Sequence, residues 1–290
     1  MVKAYLKYFS ALLLFGLNGV VASSIDLPGT QIALLRTLIG SVFLLAVWGC
    51  SGARLHRPDK RHLLYLAVSG AAMGGSWVLL FTAYAQVGVS MATLLYYCGP
   101  VLVMALSPLL FGERLTRAKV GGLLVVLAGL VCTGTGAPGR LGAAGLFCGA
   151  GAAVLYAVMV LFDKKAASIT GLPGTAVQLV AGALTTALFL GAGPPLSLPA
   201  LAADLVPVLL LGVVHTGLGC YLYFSAVQLL PAASVAICGY VEPLSALVFA
   251  ALFLQERLSA RQLLGAVLML GGAVVGARSG ARRTGSRRRG

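Results

Sequence analysis

Charge is what this sequence has least of. Only 10% of its 290 residues are Asp, Glu, Lys or Arg, against about a quarter in a soluble domain, which is too little polar side chain to clothe a water-facing globule. Acids are scarcest, seven against 21 Lys plus Arg, and there are three His. The six cysteines (50, 98, 132, 148, 220 and 238) form no CxxC pair and fall within or at the ends of apolar runs, so they read as small buried hydrophobes, not as disulfides or metal ligands. There is no HExxH, no Walker loop and no nucleophile paired with a base at usable spacing, so an enzyme is not expected and no cofactor is called for. No stretch between apolar runs has room for a nucleotide-binding domain, which excludes an ATP-driven pump in this chain alone.

What is there instead is apolar sequence, 59% of the chain, in continuous runs of roughly 20 residues, the length at which a helix crosses about 30 Å of hydrocarbon. The runs do not alternate as barrel strands do. The 38 glycines suit membrane helices, where small residues allow close packing. Breaks in hydrophobicity predict an all-α integral membrane protein with ten spans, at 9–25, 31–50, 63–86, 91–111, 119–136, 143–162, 175–192, 205–228, 233–254 and 262–277. The links are short and several carry turn chemistry, such as Asp26-Leu-Pro-Gly and Gly171-Leu-Pro-Gly.

The chain is also written twice. Residues 80–133 recur 143 positions later without a gap, in register at Phe81 and Phe224, Pro100 and Pro243, Glu113-Arg-Leu and Glu256-Arg-Leu, Gly122 and Gly265, and Gly129 and Gly272. Leu27-Pro-Gly-Thr returns as Leu172-Pro-Gly-Thr. Two halves are therefore expected, 1–138 and 139–277, followed by a basic tail, 278–290. Five spans per half is an odd number, so the halves must be inverted relative to each other, as in many secondary transporters.

Basic residues orient the chain. With the N-terminus inside, 17 of the 21 Lys and Arg fall in cytoplasmic segments; only Arg140, Arg257 and Arg261 fall outside, and Arg36 lies within the second span. Both termini are expected to be cytoplasmic. The same count accounts for most of the net charge of +14, so the Arg-rich tail is read as touching anionic lipid or as disordered, not as binding nucleic acid. Lys3 and Lys7 before an apolar run ending Val21-Ala22-Ser23 also fit a signal peptide, but its removal would spoil the repeat, and an uncleaved first helix is expected.

Phe15-Gly-Leu-Asn18, Leu35-Arg36, Pro100, Gly112-Glu-Arg-Leu-Thr116, Gly122, Val241-Glu-Pro243 and Gln255-Glu-Arg-Leu-Ser259, in this order and spacing, resemble the EamA branch of the drug/metabolite transporter superfamily over nearly the whole chain. The resemblance implies a ten-helix carrier with a central cavity lined mainly by helices 1, 3, 4, 6, 8 and 9 and working by alternating access. Its members export amino acids, nucleoside-like compounds and other metabolites, and some import. A bacterial-type plasma (inner) membrane carrier, monomeric or homodimeric, with lipid and a small-molecule substrate as its partners, follows as an expectation.

Polar groups at mid-depth narrow the site, because they are expensive in hydrocarbon and face a cavity or a partner. Six acids lie at span ends and only Glu242 sits deep in a helix. It either carries a coupling proton or binds a cationic group, or else holds its own helix, with Pro243 freeing a carbonyl beside it. His215 reaches similar depth and is the candidate to share a proton with Glu242, its alternative being a hydrogen-bonded bundle residue. A metal site lacks a third ligand. Among the aromatics, Trp77 and Tyr96 are cavity candidates. Tyr96 is preferred over Tyr97 because it lies one turn from the position matching Glu242, whereas Tyr97 and Tyr240 lie about 200° round the helix and read as packing. Asn18 is the other mid-depth polar group. Arg36 faces a substrate carboxylate, or else Asp26 or a helix-end carbonyl, with its stem along apolar surface. Pro100, Pro243, Glu113 and Glu256 are read as gate or structural residues. An amino acid or organic amine is the leading substrate class, since a carboxylate in a phenol cage suits an ammonium. A lipid-linked flippase or a nucleoside or sugar carrier of the same fold are the alternatives.

Overall fold

The computed structural model describes residues 1–52, 59–133, 142–190, 203–255 and 259–284. These form helices and turns, with no strand among the described residues. In chain order the helices are α1 (Val2–Gly16), α2 (Asn18–Ala22), α3 (Gly29–Ser51), α4 (Lys60–Val87), α5 (Val89–Tyr96), α6 (Gly99–Phe111), α7 (Arg117–Thr133), α8 (Ala143–Lys165) and α9 (Gly171–Leu190). Then come α10 (Leu205–Leu210), a π-helical segment (Leu211–Leu218), α11 (Gly219–Val227), α12 (Ala232–Cys238), α13 (Val241–Phe253) and α14 (Ala260–Thr284). Short helices join end to end, giving eight stretches long and apolar enough to cross a membrane: Val2–Ala22, Gly29–Ser51, Lys60–Val87, Met91–Phe111, Ala143–Lys165, Gly171–Phe189, Leu205–Val227 and Ala232–Phe253. The first starts at Val2, seven residues before the expected span, so Lys3 and Lys7 lie within helix α1. The protein is an all-helical, multi-pass membrane protein. Its outward apolar side chains agree: Leu109 and Leu188 are each 81% exposed, which water would penalise and lipid tails do not.

Two of the helices are broken at matching places, and proline is the cause. Pro100 has no N–H to give to Tyr96 O four residues back, and α5 ends at Tyr96. Pro243 cannot bond Gly239 O, and α12 ends one residue before it, at Cys238. Glu242 N–H takes up the Gly239 carbonyl instead, at 3.1 Å.

The packing follows the repeat. Helix α8 lies against α4, α5 and α6; correspondingly α1 lies against α11 and α13. Helix α3 packs on α9 and on the π-helical segment, α4 on α9, and α6 on α12. Helices α7 and α14 pair through two reciprocal approaches. A Cβ at Gly129 would stand 2.6 Å from Gly265 O, and one at Gly272 would stand 2.5 Å from Gly122 O. These four glycines are two repeat-related pairs, so the duplicated sequence makes the same contact twice, as a two-fold relation requires.

Candidate functional site

The helix breaks, α1 and α2, α3, α4, α8, α11 and α13 enclose a cavity of about 520 Å³, within the size range of small-ligand sites. Its wall is mostly apolar and rich in tyrosine (84, 96, 97, 156 and 223), with Trp77, Phe15 and Phe81. Among the described residues, Arg36 and Glu242 are the one basic and the one acidic side chain in that wall.

Arg36 enters from the N-terminal third of α3, a helix the resemblance did not place in the lining. It is 7% exposed. Its Nε donates to Thr216 Oγ1 at 2.9 Å, and its guanidinium lies over the Trp77 ring, 4.3 Å from the centroid. Its Nη2 is buried without a hydrogen-bond partner. Among the described residues, the partners anticipated from the sequence are not the ones it has: Asp26 turns its backbone N–H to Asp204 Oδ2 at 2.6 Å, and the guanidinium meets Thr216 and Trp77 instead. A planar donor set held at one nitrogen and stacked on indole, with another nitrogen unsatisfied, is the geometry that receives a carboxylate.

The π-helical segment positions Thr216. Thr216 Oγ1 donates to Leu211 O, five residues back, at 2.8 Å, and so has its lone pairs free for Arg36. The same wide turn sends His215 elsewhere. His215 is 3% exposed, it is not a lining residue of the cavity, and its Nδ1 lies 2.8 Å from Leu14 O. A carbonyl only accepts, so Nδ1 carries the proton in that bond. The expected pairing of His215 with Glu242 is therefore not what the structure places there; the ring fastens the π-helical segment to α1 at the α1–α2 junction.

Glu242 lines the cavity from the first turn of α13. Tyr97, the tyrosine assigned to packing from the sequence, lines the same cavity. The helical-wheel argument fails there because it assumes one continuous helix, and the chain leaves the helix between Tyr96 and Gly99. Tyr96 and Tyr97 both line the cavity, with ring centroids 5.4 Å apart in an edge arrangement. Tyr96 also meets Tyr156 edge-on at 5.5 Å, and the Tyr156 and Tyr223 hydroxyls are 3.2 Å apart. Asn18 and Trp77 line the cavity too, and Asn18 Oδ1 is buried with no partner.

Of the residues read as gate or structural, Pro243 reaches the cavity and Pro100 is buried behind it. Glu113 lies away from it and accepts from the backbone N–H groups of Ala232 at 2.7 Å and Ala233 at 3.1 Å, capping the start of α12 with a charge of the favourable sign. Glu256 lies outside the described residues. Among these no group of His, Cys, Asp and Glu could hold a metal ion.

A sequence profile described as the EamA-like transporter family matches the chain twice, over residues 2–135 and 143–277. The chain is 25% identical over 274 residues to the "Uncharacterized transporter YxxF" of Bacillus subtilis, covering 93% of this chain and 88% of that protein. It is 29% identical over 246 residues to a "Probable terminal-alkyne amino-acid exporter" of Streptantibioticus cattleyicolor, covering 84% and 82%. A solved structure titled only "Crystal structure of protein" superposes with a TM-score of 0.85 at 24% identity, over 97% of this chain and 99% of that one; at that identity it speaks for the fold alone.

Proposed function

The chain belongs to the EamA-like transporter family, and on that premise we propose that it is a secondary carrier exporting a small zwitterionic metabolite of the amino-acid type by alternating access across the plasma membrane. The observation that carries this reading is the pairing of Arg36 and Glu242 in one tyrosine-lined, largely apolar cavity. Arg36 offers an unsatisfied Nη2 to a carboxylate, while Glu242 and the rims of Tyr96, Tyr97 and Trp77 offer charge and π-faces to an ammonium. The apolar remainder accommodates a hydrocarbon or aromatic side chain. A plain amine would leave the guanidinium unpaired, and so the amino acid is preferred over the amine. The similarity to an amino-acid exporter points the same way.

The architecture under this proposal is ten crossings in two inverted halves, 1–138 and 139–277, with both termini cytoplasmic. The profile's double match and the reciprocal glycine contacts support it. Helices interrupted at matching depth on either side of the cavity are where such carriers bind substrate. The carrier needs no cofactor, and Glu242 is the cavity group able to exchange a proton for the substrate's ammonium.

Counterflow into proteoliposomes tests this. Unlabelled amino acid loaded inside should draw in the labelled compound saturably. Exchange restricted to nucleosides, sugars or lipid-linked compounds would reject the substrate class and leave the fold standing.

A further inference from the structure

Asp163, an acid read from the sequence as sitting at a span end, is 0% exposed. It lies on the last turn of α8, away from the cavity, where side chains of Gln178 in α9 and of Gln228, the residue that closes α11, reach it. Its Oδ1 accepts from Nε2 of Gln178 at 2.9 Å and from Nε2 of Gln228 at 3.0 Å. The other N–H of Gln178 goes to Ser69 Oγ of α4 at 2.9 Å, and the Ser69 hydroxyl gives its proton to Met159 O at 2.8 Å. The other N–H of Gln228 reaches Ile169 O at 3.3 Å.

An amide has two N–H donors and a serine one, so every donor in the cluster is committed. Three buried acceptors remain with no partner: Asp163 Oδ2, Gln178 Oε1 and Gln228 Oε1. Turning either amide round would only set its oxygen against Asp163 Oδ1, moving the deficit without curing it. A carboxylate this deep would also need a cation on it. The neighbouring Lys164 sends its ammonium to Leu230 O and over the Phe111 ring. Of the groups on packed elements, Glu113 is capping α12, His62 of α4 is engaged with Ser168, Tyr65 lies edge-on to Phe162, and Tyr223 of α11 belongs to the aromatic cluster with Tyr8 and Phe15. Helices α6 and α9 carry no titratable side chain.

What the cluster lacks is donors. We propose that Asp163, Gln178 and Gln228 form a buried proton-binding site, separate from the central cavity, with the proton on Asp163 Oδ2. That proton turns one of the three orphan acceptors into a donor and removes the buried charge. The cluster ties α8 to α4, α9 and α11, so losing the proton leaves a charge that must be hydrated, and this end of the bundle must open to do it. The link to transport rests on the carrier reading above; the protonation does not.

Infrared spectra of the full chain in lipid nanodiscs at neutral pH test the site. The expected result is a protonated-carboxyl C=O band that disappears in Asp163→Asn and persists in Glu242→Gln. Asp163→Asn should keep the wild-type thermal midpoint, because its amide N–H replaces the acid O–H, whereas Asp163→Ala should lower it. Should Asp163→Asn fail to fold, carboxyl-13C aspartate labelling of the wild type should shift the band, since none of Asp26, Asp59 and Asp204 is buried. A band unmoved by either route overturns the proposal. So does a rise in wild-type thermal midpoint with sodium that Asp163→Asn does not share, which would make the cluster a metal-cation site.

Discussion

Tyr240 donates its phenolic hydrogen to the backbone carbonyl of Tyr97 at 2.7 Å, and the two residues stand 143 apart, at equivalent positions of the duplicated sequence. Two-fold related residues meeting in this way would exchange two such bonds. Here no return bond from Tyr97 is found among the described residues; Tyr97 lines the cavity together with Glu242, which stands where the first half has Gly99. The halves differ at their shared centre: one tyrosine of the pair ties helices together through its hydroxyl, and the other lines the cavity beside the acid.

The two tyrosines should therefore fail differently. Tyr240→Phe removes a buried hydrogen bond and leaves Tyr97 O unpaired, which should lower stability by about 1 kcal/mol with substrate KM unchanged. Tyr97→Phe keeps the ring but takes a hydroxyl from the cavity wall that Tyr97 shares with Glu242, and should raise KM several-fold with little change in thermal midpoint. Thermal unfolding in detergent and counterflow kinetics on both variants separate the two effects.

The α7–α14 contact predicts a sharp positional contrast. Alanine at Gly129 or Gly272 would press its Cβ onto the facing backbone and should cost about 1–3 kcal/mol. Alanine at Gly121 or Gly271, where a Cβ meets nothing within 4 Å, should change stability by less than about 0.5 kcal/mol. Equal thermal midpoints for all four would mean that the two helices do not pack through these glycines.

Gly112 and Gln255 are repeat equivalents, and both take left-handed backbone, φ 62° and 57°. Glycine adopts that conformation freely, whereas for glutamine it costs about 1–2 kcal/mol. Gln255→Gly is thus expected to raise the thermal midpoint, and Gly112→Gln to lower it.

Glu113 closes the start of α12 from the loop between α6 and α7. Glu113→Ala strips both N–H groups of their acceptor and should destabilise by about 1–2 kcal/mol, with faster amide exchange at Ala232 and Ala233. Glu113→Gln keeps one acceptor oxygen and should lose about half as much.

Much of this was legible in the sequence. Hydrophobic run length marked the chain as multi-pass and helical, and the isolation of Glu242 in an apolar run marked the cavity's acid; the 143-residue repeat paired Gly122 with Gly265 and Gly129 with Gly272 without showing that α7 and α14 meet through them. What escaped depended on local departures from a regular helix. A wheel drawn through Pro100 put Tyr97 on the wrong face, because the proline breaks the phase. The π-helical segment at Leu211–Leu218 turned His215 onto Leu14 O and Thr216 onto Arg36, and no residue pattern in it signals the wider turn. Asp163 escaped because its depth is set by helices that fold over the span end. Arg36 was noticed, but only the structure shows its guanidinium stacked on Trp77 with Nη2 unpaired.

The central claim is that Arg36 and Glu242 hold the two ends of one zwitterion. The measurement that tests it most directly is equilibrium binding, in detergent, of an apolar amino acid and of the amine that lacks only its carboxylate, to wild type, Arg36→Gln and Glu242→Gln. The wild type should prefer the amino acid. Arg36→Gln should lose roughly 10- to 100-fold in affinity for the amino acid, the worth of a charged hydrogen bond, with little change for the amine, while Glu242→Gln should weaken both. An Arg36→Gln variant that binds the amino acid as tightly as wild type, or a wild type that prefers the amine, would contradict it.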